Sequence, residues 1–316
     1  MKNRRPKEKV IVITGPTSSG KSSLAVKIAK KFNGEIISAD SRQIYQHLNL
    51  GSGKVEGSWK KEEKEKVFVY QNIPHHLIDF LPLQKDYNVA HFQRDCLQKI
   101  DEISRRKKLP IICGGTGFWI RAVVYDLKLP KVKPNEKLRN QLTKLSAKDL
   151  TDKLKTIDPL RAETIDQKNP ARLIRAIEIA TALGKVPPLD IFTDPQKRTG
   201  YDFLQVALVA EKQILEEKIK RRLKERFLAG MIEEVKQLNI RQKLSLEKIQ
   251  SFGLGYFWIP LFLQGKIKKT ELFEQVFMAE RNYAKRQMTW LKKNPDIIQE
   301  SDPKKIISLV KNFLAK

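Results

Sequence analysis

The chain has 316 residues, of which 41% are hydrophobic, so it can bury the core of one large domain or two smaller ones. It has no apolar run long enough to cross a bilayer and no apolar stretch after its basic N-terminus, which argues against a membrane protein and predicts a cytoplasmic one. Its 62 Lys and Arg against 36 Asp and Glu give a formal net charge of +26, which favours either a polyanionic partner or a well-solvated lysine-rich surface.

The N-terminal segment predicts a strand, a glycine-rich turn and a helix. Residues 9–14 are apolar and β-branched, and residues 23–32 have helical periodicity. The turn between them fits the G-x-x-x-x-G-K-[ST] pattern, in which backbone N–H groups cradle phosphate, the lysine neutralises its oxygens and the last hydroxyl ligates Mg²⁺. This predicted diphosphate- or nucleotide-binding loop consists of Gly15, Pro16, Thr17, Ser18, Ser19, Gly20, Lys21 and Ser22, with Ser22 as the Mg²⁺ ligand.

The elements that follow predict a parallel α/β sheet. Short strands at residues 35–38, 109–113 and 203–209 are separated by helical patterns, including an amphipathic helix at 89–107. The Gly-, Lys- and Glu-rich segment 52–66 indicates a surface loop. We therefore expect a doubly wound sheet of the P-loop NTPase-like class.

The chain predicts two structural parts. Residues 127–199 have short helical patterns separated by prolines and no convincing strand, which indicates a helical insertion. Residues 1–126 and 200–316 would then form a P-loop core that is discontinuous in sequence. A long basic helix is expected at 269–293.

The ends of two predicted strands suggest what the phosphate loop serves. Asp40 follows the strand at 35–38, on the sheet edge where ligands bind, and is a candidate base. A helix cap or an outer Mg²⁺ contact is the alternative role for Asp40. The strand at 109–113 ends in glycines instead of the aspartate that organises the metal in many NTPases, which makes NTP hydrolysis a weaker hypothesis.

These motifs together resemble the tRNA dimethylallyltransferase family. The resemblance extends through six segments in the family's order, at residues 15–22, 38–45, 76–79, 114–117, 169–176 and 284–290. It departs from the family pattern at Ser52, where the family has threonine, and at Trp119, where it has tyrosine.

The resemblance implies a specific reaction. Dimethylallyl diphosphate, with Mg²⁺, would occupy the phosphate loop, and its prenyl group would pass to the N6 amine of the adenosine immediately 3′ of the anticodon in tRNA. Asp40 would accept the amine proton, and Thr116 would align the reacting groups beside it. Arg222 would steady the departing diphosphate. A monomer is expected.

The resemblance also implies where tRNA is bound. Contacts are expected around an extruded adenine, in the helical insertion and on the last long helix. For any single cation there, a solvated charged surface is the competing interpretation. The implied tRNA-binding residues are Asp40, Ser41, Arg42, Gln43, Thr116, Arg139, Ala171, Arg172, Leu173, Ile174, Arg175, Arg281, Lys285 and Arg286.

Two other functions are compatible with parts of the sequence. A P-loop core with a helical insertion also describes small-molecule kinases, which would transfer phosphate from ATP. A non-catalytic RNA-binding P-loop protein would explain the charge without any chemistry.

Overall fold

A single β-sheet organises the fold in the computed structural model of the chain, which describes residues 8–62, 65–188 and 200–316. The strands are β1 Glu8–Thr14, β2 Gly34–Ser38, β3 Ser58–Glu62, β4 Glu65–Tyr70, β5 Ile73–His76, β6 Leu109–Cys113, β7 Tyr201–Leu208 and β8 Ile298–Glu300. They follow one another across the sheet in the order β3-β4-β5-β2-β6-β1-β7-β8.

The six strands from β5 to β8 in this order run parallel. The central strand β1 lies between β6 and β7, and its residues from Val10 to Ile13 are completely buried. A continuous apolar run of this kind is typical of a parallel strand with both faces covered. The predicted α/β class is confirmed, and strands β1, β2, β6 and β7 lie where the sequence predicts them.

Helices connect and cover the strands, and none of those described is both long and apolar enough to span a membrane. On α2, Phe92, Cys96 and Ile100 share one fully buried face, as the periodicity predicts. The helices are α1 Lys21–Phe32, α2 Val89–Arg105, α3 Gly117–Val124, α4 Glu136–Leu142, α5 Ala147–Ile157, α6 Pro159–Thr164, α7 Pro170–Leu183, α8 Lys212–Leu228, α9 Met231–Ile240, α10 Leu246–Ser251, α11 Gly255–Leu263, α12 Lys269–Lys292 and α13 Pro303–Ala315.

The prediction of a surface loop at 52–66 is wrong over most of its second half. Strands β3 and β4 form an antiparallel hairpin that extends the sheet beyond β5. Trp59 lies opposite Phe68 in this hairpin, and their rings meet edge to face. The charged composition of the segment concealed this cross-strand apolar pair, which stabilises a sheet edge. Residues 63 and 64 lie outside the described part of the chain.

The chain divides into two compact units between Asp126 and Leu127. The larger unit contains the whole sheet. The described residues of the smaller unit, 127–188, form α4 to α7 and contain no strand. Leu150, Leu154, Leu173 and Ile177 belong to its separate hydrophobic core. Residues 189–199 of the predicted insertion lie outside the described residues.

Candidate functional site

A solvent-open cavity lies at the carboxyl ends of β1, β2 and β6, in the larger unit, and about 680 Å³ of space, part of it open solvent, lies between its walls. This is the edge at which parallel α/β sheets bind ligands. Most of its lining side chains are polar or charged. They are Thr17, Lys21, Ser22, Asp40, Arg42, Gln43, Ser52, Cys113, Arg222, Arg226, Leu254, Glu280, Tyr283 and Gln287, with backbone from Gly51, Gly53 and Gly114.

The phosphate loop forms one wall of this cavity. It turns sharply from β1 into α1, and a Cβ atom added at Gly15 would meet the Leu208 carbonyl oxygen at 2.5 Å. Gly20 has a φ of 94°, a left-handed conformation that glycine adopts without strain. Lys21 Nζ folds back and donates to the Pro16 carbonyl at 3.2 Å. Burial lowers the pKa of Lys21, against the opposing influence of Cys113 and Asp40.

Two serine hydroxyls in the phosphate loop are buried without a hydrogen-bond partner, as expected at a site that binds a polar ligand. Ser18 Oγ and Ser19 Oγ are buried and accept or donate no hydrogen bond within the described part of the protein. Buried polar groups are almost always hydrogen-bonded, and orphaned ones at a helix N-terminus suit an anion. The geometry of the predicted loop residues therefore matches a diphosphate cradle.

Ser22 is the candidate Mg²⁺ ligand of the phosphate loop. No group of three or more His, Cys, Asp or Glu side chains among the described residues is arranged to bind a metal. The Ser22 hydroxyl lines the cavity beside the phosphate loop. Since Mg²⁺ commonly takes one or two protein ligands and fills its shell with phosphate oxygens and water, Ser22 suits a metal that binds with a diphosphate.

Asp40 faces the phosphate loop from the end of β2. Its Oδ1 accepts hydrogen bonds from the backbone N–H groups of Arg42 at 2.9 Å and Gln43 at 3.2 Å. The same carboxylate lines the cavity, and its charge acts on Lys21 and Arg222. Asp40 therefore has two roles in this geometry: its Oδ1 caps a turn, and its carboxylate also lines the cavity.

Thr116 lies beside this turn and is hydrogen-bonded to it. Its Oγ1 accepts a hydrogen bond from the Ser41 backbone N–H at 3.1 Å. Its backbone N–H donates to the Ala39 carbonyl at 3.1 Å. Thr116 therefore fixes the segment on both sides of Asp40, and its direct alignment of the reacting groups stays a prediction.

Arg222 on α8 reaches the cavity from the opposite side. Its Nη2 donates to the Gly53 carbonyl at 2.7 Å, and Gln43 Nε2 donates to the same oxygen at 3.2 Å. Gly53 has a φ of +62°, and an added Cβ would meet Arg222 Nη2 at 2.4 Å. Burial lowers the pKa of Arg222, and so does the charge of Arg226. One backbone oxygen therefore positions two predicted site residues.

The segment 49–53, here called the strap, is held by hydrogen bonds from its backbone to Glu234 and to Arg226. Glu234 on α9 accepts from the three consecutive backbone N–H groups of residues 49–51, at 3.1, 2.7 and 3.0 Å. Arg226 donates to the Leu50 carbonyl at 3.1 Å and to Glu280 on α12 at 2.5 Å. Because Arg226 and Glu280 are buried, this ion pair is costly to break on one side only.

Gln287 on α12 joins two walls of the cavity. Its Oε1 accepts from the Thr17 backbone N–H at 2.8 Å, and its Nε2 donates to the Gly115 carbonyl at 3.0 Å. A Cβ added at Gly115 would meet that Nε2 at 2.1 Å, so a larger residue at position 115 would clash with Gln287. Gln287 therefore ties the phosphate loop to the turn that carries Thr116.

Tyr283 is a cavity residue that sequence analysis missed. Its ring contacts the guanidinium groups of Arg42 at 5.5 Å and Arg286 at 5.7 Å from the ring centre. Burial raises the pKa of Tyr283, and the nearby charge of Asp40 acts in the same direction. The available signal was helical spacing, since Tyr283 lies four residues before Gln287 on the same face of α12.

The smaller unit contains the other predicted tRNA-binding cluster. Arg139 donates from Nε and Nη2 to both oxygens of Glu178 at 2.9 Å, and Arg175 also contacts Glu178. Burial opposes ionisation, but hydrogen bonds from Arg139, the Asn135 N–H and Arg175 lower the pKa of Glu178 to about 2. These two arginines therefore have a structural role within the unit.

Four of the predicted contacts on α7 have different exposures. Leu173 is fully buried in the core of the smaller unit, so its side chain is unavailable to tRNA, and the contact of this segment with tRNA stays a prediction. Its spacing of four residues from Ile177 places it on the core face. Ile174 is partly buried against the same core. Ala171 and Arg172 are exposed, and Arg172 Nη1 lies 3.4 Å from Asp166.

On α12, the predicted contacts flank Tyr283. Arg281 is half-buried, whereas Lys285 and Arg286 are exposed. Arg286 adjoins the cavity through the ring of Tyr283. This end of α12 therefore offers exposed cations beside the cavity.

Comparison with known proteins agrees with these motifs. The family model described as IPP transferase matches residues 43–294, and the model described as isopentenyl transferase matches residues 8–73. The chain is 40% identical over 292 residues to tRNA dimethylallyltransferase 2 of Treponema denticola, covering 91% of this chain and 92% of that protein. It is 36% identical over 285 residues to tRNA dimethylallyltransferase of Anoxybacillus flavithermus, covering 90% and 88%.

A solved structure supports the same assignment. The crystal structure of the full-length tRNA isopentenylpyrophosphate transferase from Bacillus halodurans is 31% identical in sequence and superposes with a TM-score of 0.68, covering 98% of this chain and 96% of that one. The matched regions include the phosphate loop, the Asp40 turn and all of α12. The chain therefore belongs to the IPP transferase family.

Proposed function

We propose that this enzyme transfers a dimethylallyl group from dimethylallyl diphosphate to the N6 amine of the adenosine immediately 3′ of the anticodon in tRNA. The products are N6-isopentenyladenosine and diphosphate. The observation that carries the proposal is the shared cavity of Lys21, Asp40 and Arg222, which puts an anion cradle, a carboxylate and a second cation around one reacting volume. Relatives named tRNA dimethylallyltransferase support the same substrates.

The cavity suits a substitution at an allylic carbon. The amine nitrogen attacks C1 of the donor and forms the new C–N bond, while the C1–O bond breaks and its electron pair leaves with the diphosphate. The amine proton passes to the Asp40 carboxylate, which is held by the Arg42 and Gln43 N–H groups. The adenine must leave its stack to enter the cavity.

The opposite walls receive the leaving group. Lys21 and the loop N–H groups would hold the diphosphate, and Arg222 would contact the oxygens on which charge develops. Ser22 would hold Mg²⁺, which supplies further charge neutralisation when bound. Arg222 is preoriented for this by the Gly53 carbonyl.

The tRNA would be held by cations in both units. Near the cavity, Arg42, Gln43 and Arg286 suit the anticodon loop, and Ser41 lies in the same turn. In the smaller unit, exposed Arg172 suits a phosphate contact. We also propose that the enzyme acts in the cytoplasm as a monomer.

A direct assay separates this function from a small-molecule kinase and from a non-catalytic RNA-binding protein. Purified enzyme is incubated with unmodified tRNA and Mg²⁺, with either dimethylallyl diphosphate or ATP, and tRNA nucleosides are analysed by mass spectrometry. We expect a prenylated adenosine only with the prenyl donor. Phosphorylated product from ATP, or tight tRNA binding without any product, would contradict the proposal.

A further inference from the structure

A buried ion pair joins the end of the strap to the loop that follows β5. Lys54 directly follows the strap, and its Nζ lies 2.5 Å from Oδ1 of Asp79. The Lys54 side chain is only 2% exposed. Since a buried ion pair is commonly no more stabilising than apolar residues of the same size, stability alone does not account for this pair.

Lys54 gathers oxygen atoms from three segments around one ammonium group. Besides Asp79, its Nζ donates to the Tyr45 carbonyl at 2.7 Å, close after the turn that begins at Asp40, and to Asn49 Oδ1 in the strap at 3.0 Å. All three N–H donors of the ammonium group therefore have an acceptor. Burial lowers the pKa of Lys54, and the hydrogen bond and charge of Asp79 oppose this change.

Asp79 is fixed by contacts on both its side chain and its backbone. Its Oδ2 accepts from Trp59 Nε1 on β3 at 2.9 Å, and its backbone N–H donates to the Gln43 carbonyl at 2.8 Å. Asp79 and Leu77 both have a φ of 53°, a left-handed conformation that is costly for most residues and less so for Asp. Such strain persists only where the surrounding contacts determine the backbone, as they do at Asp79.

The ion pair is connected to the reacting cavity through Gln43 and Gly53. Gln43 lines the cavity, and its Nε2 donates to the Gly53 carbonyl at 3.2 Å. The same oxygen accepts from Arg222 at 2.7 Å, and Gly53 directly precedes Lys54 in the chain. A displacement of the ion pair therefore moves the acceptor that orients Arg222.

We propose that Lys54 and Asp79 are positioning residues that hold the Gly53 carbonyl where it directs Arg222 towards the departing diphosphate. The inference rests on the proposed function and adds two residues to it. Because Arg222 would contact the oxygens on which charge develops, its displacement weakens binding of free diphosphate more than binding of the intact donor. Loss of the ion pair therefore lowers kcat with little change in donor binding.

The first test measures this difference with Lys54→Met, which keeps the length of the side chain but donates no hydrogen bond. We expect kcat to fall about tenfold. By calorimetry with Mg²⁺, the dissociation constant of inorganic pyrophosphate should rise about fivefold, and that of dimethylallyl diphosphate should change about twofold or less. The control is Lys99→Met, which removes an ion pair with Glu102 on α2 and should change none of these values.

The second test asks whether the effect passes through Arg222. Arg222→Gln should itself weaken pyrophosphate binding about tenfold, because it removes a charged donor to the phosphate oxygens. Adding Lys54→Met to this variant should weaken binding by a further factor of about two or less, since the group that Lys54 positions is already lost. Effects that multiply in full would overturn the proposal.

A double variant separates positioning from folding. Asp79→Asn suits the left-handed backbone but leaves Lys54 buried without its carboxylate, so this single variant should melt at a lower temperature than the wild type. In Lys54→Met/Asp79→Asn the unpaired charge is absent. We expect the melting temperature to recover in part while kcat stays about tenfold below wild type. Recovery of kcat together with stability would show a purely structural pair and overturn the proposal.

The pyrophosphate measurement distinguishes this inference from the proposed function. Pyrophosphate binding needs no turnover, so it tests the ion pair even in a protein that fails to modify tRNA. Unchanged pyrophosphate binding in a folded Lys54→Met variant would overturn the positioning role alone. Absence of prenyl transfer by the wild type would instead contradict the proposed function.

Discussion

The two sides of the reacting cavity are built in different ways. One side consists of the phosphate loop and the Asp40 turn, short segments that directly follow β1 and β2. The other side consists of the strap, α8 and α12, which Arg226 and Glu280 hold together across long separations in sequence, and Gln287 on α12 joins it to the phosphate loop. The first side contributes most of the groups proposed to touch the reacting atoms, whereas the second side, apart from Arg222, fixes where those groups lie.

This difference implies two kinds of defect. Loss of a group on the first side should remove one chemical step or one binding contact while leaving the cavity intact. Loss of a group on the second side should leave the chemistry in place but displace it, and displacement of about 1 Å can cost up to about a hundredfold in rate. Mutation of each side tests whether this distinction holds.

The largest effect is expected for Asp40→Asn. The amide keeps the size of the side chain and an oxygen for the Arg42 and Gln43 N–H groups, but it cannot take the amine proton. We expect kcat to fall about a hundredfold or more with both substrates still bound. Single-turnover kinetics would measure this, with Asp86→Asn as an exposed control. Near-normal turnover would show that another group accepts the proton.

A smaller effect, on donor binding, is expected for Lys21→Ala. The substitution removes the cation nearest the diphosphate oxygens, so the KM for dimethylallyl diphosphate should rise about thirtyfold, with a smaller change in the KM for tRNA. Lys30→Ala on the exposed face of the same helix is the matched control. An unchanged donor KM in Lys21→Ala would place the diphosphate outside the phosphate loop.

Gln287→Met tests the second side. Methionine has similar length but cannot accept from the Thr17 N–H or donate to the Gly115 carbonyl. We expect kcat to fall about tenfold while the KM values for donor and tRNA change about twofold or less, because the walls shift relative to each other. Gln264→Met on the surface is the control. A rise in donor KM with normal kcat would instead make Gln287 a simple phosphate-binding residue.

The smallest effect is expected for Arg172→Gln in the smaller unit. Removing one exposed phosphate contact should weaken tRNA binding about threefold and reduce the slope of log affinity against log salt by about 0.7 to 0.9. Filter binding over a range of salt concentrations would measure both values, with Arg94→Gln as a control of similar exposure. If both variants change the slope equally, Arg172 makes no specific contact.

The sequence predicts the first side of the cavity well because its signals are local. The phosphate loop is a fixed pattern between a strand and a helix, and Asp40 follows a strand by two residues. The buried face of α2 is likewise visible in its periodicity.

The second side could not be predicted in the same way. Gln287 contacts Thr17 across 270 positions, and Glu234 contacts Leu50 across 184, so no local spacing relates these residues. The ion pair of Arg226 and Glu280 is invisible for the same reason, since each lies among other charged helix residues. The hairpin of β3 and β4 was missed because its stabilising pairs lie on different strands.

The most direct test of the account is a crystal structure with a non-hydrolysable dimethylallyl diphosphate analogue, Mg²⁺ and an anticodon stem-loop RNA. We predict the diphosphate on the N–H groups of residues 17–22 and an Asp40 oxygen within about 2.6 to 3.2 Å of the adenine amine. A diphosphate bound elsewhere, or an adenine amine beyond the reach of Asp40, would contradict the central claim that these two local segments perform the reaction together.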